Sequence, residues 1–119
     1  MDGERVLRAF SERLAAGDAD GAVALFTADC VYDEPPAHAF TGRDALHAFI
    51  AAFAAGHSDI RFEVQRTLAS PDGDALAAEW RWSYTRSADG TRHAFAGMCF
   101  IELRDGLIAR LRGFSAVVD

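Results

Sequence analysis

Asp29-Cys30-Val31-Tyr32-Asp33-Glu34-Pro35-Pro36 reads as a short strand over residues 30–34 that ends in a carboxylate and is stopped by two prolines. Proline has no N–H for a sheet ladder and holds the residue before it extended. Glu34 is therefore expected at a strand end, pointing to the opposite face from Asp33. If one face of that strand is covered, one of the two acids is partly withdrawn from water and suited to proton transfer. The alternative is an exposed turn in which both acids are solvated.

The segments on either side decide what could cover that face. Before it, Val6, Leu7, Phe10 and Leu14 repeat at helical spacing over residues 4–16. Gly17 supplies a left-handed stop and Asp18 a cap for a second short helix over 19–27. After it, a loop through Ala37-His38-Ala39-Phe40 leads to a third helix over about 43–55, with Thr41 as cap and Asp44 as capping-box acid. That helix buries Leu46, Phe49, Ile50 and Phe53 and ends at Gly56. From residue 58 the period becomes two. Ile60, Phe62 and Val64 share one strand face, and Ala78, Trp80, Trp82 and Tyr84 share another on a strand over about 75–86. Turn clusters at 70–74, 88–90 and 104–106 separate four strands, the last two over 91–103 and 107–118. Helices followed by a meander predict an α+β domain with its helices packed on one face of a curved sheet.

With 119 residues, the chain reads as a single domain, residues 1–119. A formal net charge of −6 argues against nucleic acid as a partner, because phosphate binding needs a basic surface. All 12 basic residues are arginine, which with the abundant alanine suggests a GC-rich bacterial genome. The acidic start runs straight into a helical pattern, so no signal peptide or membrane span is expected, and the protein reads as cytoplasmic. Cys30 and Cys99 lie in apolar runs without ligand spacing and read as free buried thiols. No histidine pair has metal-ligand spacing, and no glycine-rich nucleotide loop occurs, so no metal and no cofactor are expected.

The landmarks taken together resemble a family. Ala16-Gly17-Asp18-Ala19-Asp20-Gly21-Ala22-Val23-Ala24-Leu25-Phe26, the strand ending Asp33-Glu34-Pro35, Thr41-Gly42-Arg43-Asp44-Ala45-Leu46, Ala78-Glu79-Trp80 and Glu102-Leu103-Arg104-Asp105-Gly106-Leu107-Ile108 resemble, in that order, the SnoaL-like, ketosteroid isomerase-like branch of the nuclear transport factor 2-like superfamily. The resemblance implies a cone-shaped α+β barrel: three N-terminal helices packed in a strongly curved antiparallel sheet around an apolar pocket. It implies isomerases, polyketide cyclases, epoxide hydrolases, dehydratases or non-catalytic binding domains, so the fold alone names no activity.

Carried over residue by residue, the resemblance makes Glu34 the catalytic base, in the place where ketosteroid isomerases have an aspartate before proline. Their oxyanion donors, a tyrosine and a protonated aspartic acid, fall at Phe10 and Cys99, and a supporting tyrosine falls at Ile50. The last-strand acid of the cyclases falls at Gly113. The central-strand Arg-x-Asp pair of the epoxide hydrolases meets Trp80-Arg81-Trp82.

Strand parity then gives a substrate-binding set beside Glu34: Tyr32, Trp80, Trp82 and Tyr84 from two strands, Cys99 and Ile101 from the penultimate one, and Phe10, Ile50 and Phe53 from the helices. Such an aromatic cavity suits a small, flat apolar molecule; the same tryptophans also fit a filled core. His38 is a possible second acid/base at the mouth or a solvated loop residue, His93 shares parity with Cys99 and reads as either a rim residue or a strand-end surface residue, and His47 and His57 read as exposed. Two functions follow. One is an isomerase- or cyclase-type enzyme acting on a hydrophobic enolisable or polycyclic substrate through Glu34. The other is a non-catalytic domain that binds an apolar ligand or dimerises. Ala94, Ala96, Met98 and Phe100 fall on the opposite strand face from Cys99, and an apolar outer face of that kind predicts a homodimer.

Overall fold

The computed structural model describes residues 3–118. The chain runs α1 (Gly3–Ala15), α2 (Ala19–Val23), β1 (Phe26–Glu34), β2 (His38–Thr41), α3 (Arg43–Gly56), β3 (His57–Ala69), β4 (Ala75–Arg86), β5 (Arg92–Arg104) and β6 (Leu107–Val117). The six strands form one sheet in the order β2-β1-β6-β5-β4-β3.

The local signals act as their chemistry dictates. Gly17 takes a positive φ of 70° and ends the first helical run. The Asp18 side chain accepts from the Gly21 N–H at 2.9 Å and caps α2, which has only five residues. Asp18→Ala is expected to cost about 1 kcal/mol, the usual loss of an N-cap, read as a lower urea midpoint with an unchanged slope. Asp105 and Gly106 both take positive φ, 54° and 79°, as a tight two-residue hairpin between β5 and β6 requires.

Three local readings change. β1 begins at Phe26, not Cys30, and the second helix stops at Val23. Phe26 pairs with Ile108, and the Arg43 Nε donates to its carbonyl at 2.8 Å, so backbone and side-chain partners from distant segments hold it extended. The loop after Glu34 is itself a strand: β2 pairs with β1, with Glu34 opposite His38 and Tyr32 opposite Phe40. Thr41 therefore belongs to β2, and α3 starts from Gly42, at φ 88°, with no side-chain cap.

The larger correction concerns the sheet. It is neither a cone-shaped barrel nor strongly curled, and it is not wholly antiparallel. β2 and β3 are its two edges and do not pair with each other, so the sheet stays open. β1 runs parallel to β6, while the other neighbouring strands are antiparallel. The mixed pairing follows from the chain path: β1 comes before α3 and the whole meander, and the last strand returns beside it in the same direction. β2 has four residues, about 13 Å of strand, and is too short to seal a barrel against the 13 residues of β3.

One face of the sheet is covered. Leu7 and Phe10 of α1 and Leu46 of α3 are buried with Phe26, Leu76, Ile101 and Ile108 from the strands. Phe10 meets Phe26 edge-on at 5.1 Å. The other face is open, leaving Met98, Phe100 and Phe114 exposed by 55%, 50% and 54%.

Candidate functional site

Tyr32 and Glu34, two residues apart on β1, share the covered face, while Asp33 between them points the other way and pairs with Arg112 at 3.6 Å. Glu34 opens into a cavity of about 450 Å³ between α1, α3 and the sheet. The Tyr32 hydroxyl donates to Glu34 Oε1. Among the described residues Oε2 has no hydrogen-bond partner. The pair therefore fixes one carboxylate oxygen and leaves the other toward the cavity.

The neighbours keep this corner uncharged apart from Glu34. Burial holds the Tyr32 phenol well above its ordinary pKa, and the Glu34 charge and hydrogen bond add to the rise. Burial also pushes the Cys99 thiol up to about 11; the nearby Trp80 indole N–H opposes the rise and the Glu34 carboxylate adds to it. At neutral pH both groups are protonated: Tyr32 is a donor and Cys99 a weak one. The Trp80 Nε1 atom is buried and makes no hydrogen bond of good geometry. Gly113 closes the corner. A Cβ there would stand 3.6 Å from Glu34 Cγ and 3.7 Å from Cys99 Cβ, taking up space beside the carboxylate.

Aromatic rings make up much of the remaining wall. Trp82 lies 5.2 Å from Phe53 and 5.7 Å from Tyr84, and Phe53 stands perpendicular to Tyr84 at 4.9 Å. Phe62 packs against Trp80 at 5.1 Å and Trp82 at 5.6 Å. Of the residues read from sequence as binding substrate, Phe10, Ile50 and Cys99 line the cavity, as do Phe53 and the β4 aromatics Trp80, Trp82 and Tyr84. Ile101 does not. It is fully buried in the core, packed beneath the helices.

The histidines separate clearly. His38 lines the cavity mouth from β2, its ring 4.7 Å from Phe49. His93 stacks on Tyr84 at 5.5 Å outside the lining, and His47 meets Asp20 at 2.7 Å on the surface. His57, read as exposed, is instead half-buried and lines the cavity. Its ring stacks on Phe53 at 4.0 Å and its Nδ1 donates to the Phe53 carbonyl at 2.8 Å, because a carbonyl can only accept. A neutral His57 therefore has its free lone pair on Nε2. The spacing of four from Phe53, at the end of a helix, was the signal that could have placed it. Phe62 and Phe95 were also missed; both sit directly across the sheet from Trp82, and that pairing depends on a register between strands that no local pattern gives.

Among the described residues no three histidines, cysteines or acids gather as a metal site, and no helix is long and apolar enough to cross a membrane. Among the described residues the site is a hydrophobic pocket with one carboxylate.

Known folds place this pocket in context. A protein with a ketosteroid isomerase-like fold from Catenulispora acidiphila, solved in complex with trimethylamine, superposes with a TM-score of 0.82 at 17% identity, over 95% of this chain and 85% of that one. The epoxide hydrolase/cyclase-like enzyme SalBIII gives 0.83 at 20%, over 95% and 89%. An LEH-like epoxide hydrolase of M. tuberculosis gives 0.82 at 20%, over 94% and 80%. At such identities the likeness is one of fold. No curated protein matches the sequence. Residues 7–111 match the SnoaL-like domain family, and with that span lying on the described fold and pocket, the chain belongs to the SnoaL-like domain family, within the nuclear transport factor 2-like superfamily.

Proposed function

We propose that the protein is an isomerase- or cyclase-type enzyme in which Glu34 is the general base for a hydrophobic enolisable or polycyclic substrate. The observation that carries this reading is the Tyr32–Glu34 pair, with one carboxylate oxygen anchored and the other facing an apolar cavity. Glu34 Oε2 takes a proton from the carbon next to a carbonyl. The electrons of that C–H bond form the enolate, with charge on oxygen. Glu34 then returns the proton at another carbon of the conjugated enolate, or the enolate carbon attacks a second carbonyl of the substrate to close a ring, the C=O π pair moving onto that oxygen, which takes the proton back from Glu34. Tyr32 positions the base, the aromatic walls exclude water, and His38 at the mouth is a candidate second acid/base.

The test uses 2-tetralone, a flat bicyclic ketone. In D₂O the protein should speed deuterium incorporation next to the carbonyl well above the buffer rate. A rate equal to buffer, for 2-tetralone and for a cationic aryl ketone alike, overturns the enzyme reading. Phe10 and Ile50, apolar where related isomerases have donors, favour a second reading as a non-catalytic ligand-binding domain. In that case 2-tetralone binds without exchange.

The same proposal includes a homodimer. Phe100 pairs across the sheet with Ala77 and Arg112, and Met98 with Glu79 and Phe114, so the exposed apolar side chains form one patch edged by charge. The Arg112 guanidinium lies 5.4 Å from the Phe114 ring centre. Two copies related by a two-fold axis would cover this patch and set Glu79 near arginines of the other copy. Phe100→Glu should weaken such a dimer by about 30-fold or more, the loss of a central aromatic anchor. A wild type that sediments as a monomer at micromolar concentration, or a variant that stays dimeric, would sink the dimer.

A further inference from the structure

We infer that the substrate carries its own positive charge: a carbonyl compound with an alkylated ammonium group, seated among Phe62, Trp82 and Tyr84 while Glu34 addresses its acidic carbon. The inference rests on the proposed role of Glu34 and names the substrate class for that site.

Charge is the first argument. The chain has 12 arginines, yet the described lining includes none, and Glu34 is its sole carboxylate. With His38 and His57 of the lining counted neutral, as in the formal net charge of −6, Glu34 makes the cavity negative. A neutral hydrocarbon would leave that carboxylate in apolar surroundings with Tyr32 as its one donor among the described residues. A cation in the same cavity offsets the charge across a poorly screened medium.

The walls are the second. Aromatic rings attract a cation through their faces, and rings set at steep angles can surround it from several sides. Here Trp82 and Tyr84 meet at 64° and Phe62 and Trp82 at 66°, while Phe53 carries His57 stacked at 4.0 Å and Trp82 at 5.2 Å and so backs this wall without lending it a face. The His57 ring stands behind Phe53, with its Nδ1–H on the Phe53 carbonyl.

The third argument comes from the mechanism. Phe10 and Ile50 give the enolate oxygen no hydrogen bond, and Cys99 gives at most a weak one. A fixed positive charge on the substrate offsets the negative charge that develops on proton removal, in the role that oxyanion donors otherwise fill. The proton goes to Glu34 and the electron pair stays on the substrate, so no oxidant or co-reactant enters.

Two compounds of nearly the same shape test this. In 4′-(trimethylammonio)acetophenone a charged nitrogen stands where 4′-tert-butylacetophenone has a carbon, and both have an enolisable methyl ketone. Tryptophan fluorescence titration should give the cation an affinity about ten-fold or more above the neutral compound. Deuterium exchange at its methyl group, relative to buffer, should be faster too. Trp82→Leu should remove most of the preference. If that variant does not fold, the two wild-type affinities decide the matter. Equal or tighter binding of the neutral compound overturns the inference and leaves Glu34 as a base for neutral ketones. Absence of binding by both compounds and by 2-tetralone overturns the pocket reading as well.

Discussion

In D₂O, Glu34→Gln is expected to slow deuterium exchange of 2-tetralone by about 10²–10⁴-fold, the usual contribution of a positioned general base. The substitution keeps the shape and still offers an oxygen to the Tyr32 hydroxyl, so the wall of the cavity should survive it. An amide cannot take the proton. Stability should hold or rise, because the change removes a charge from apolar surroundings. Measuring melting temperature beside exchange separates lost chemistry from lost fold. Exchange that persists in a folded Glu34→Gln protein would mean that the base lies elsewhere in the cavity, with His57 and His38 the next groups to replace.

That Asp33 and Glu34 face opposite ways was legible from strand parity, while which of the two lies on the covered side depends on what packs there. Asp33, one residue back, points to Arg112 on the open face, as alternation demands. The aromatics of β4 were legible for the same reason: a period of two survives any register. What sequence could not give was whatever depends on pairing between distant segments. β2 has four residues and no strong strand signal; it exists because β1 offers an edge beside it. The extension of β1 back to Phe26 likewise rests on Ile108 and Arg43, far along the chain.

The sheet shows the limit of a resemblance as well. Landmarks such as Gly17-Asp18 and Asp105-Gly106 fix caps and turns, and these appear where expected. They say little about how far a sheet bends or whether its edges meet, which depends on strand lengths and pairing across the whole domain. Family membership therefore came through, while the barrel did not. Within the site, His57 was misplaced because it lies at the junction of α3 and β3, where neither period assigns a face. Its position follows from the Phe53 carbonyl and the ring beside it.

Gly97→Ala is expected to cost about 1–3 kcal/mol, the usual range for overpacking a core, whereas Gly113→Ala should be neutral or slightly stabilising. Both glycines lie inside strands, where alanine is ordinarily the better residue by about 0.5–1 kcal/mol, so backbone freedom explains neither. Space does. A Cβ on Gly97 would stand 2.4 Å from Trp80 Cη2 and 2.6 Å from the Phe114 carbonyl oxygen. The carbonyl belongs to the neighbouring strand, where Gly97 pairs with Ser115, and cannot retreat without disturbing that ladder. The indole is blocked in its turn by Phe62, 5.1 Å away between ring centres. The remaining escape for Trp80 is into the cavity, so the loss of stability should come with weaker binding of 2-tetralone. At Gly113 the nearest atoms would lie at 3.6–3.7 Å, ordinary contact distances. Urea unfolding of the two variants checks the contrast. For a domain of this size each kcal/mol is also about 4–8 °C in melting temperature. A Gly97→Ala protein as stable as wild type would show that Trp80 does not lie over that strand, and the wall of the pocket built on it would have to be redrawn.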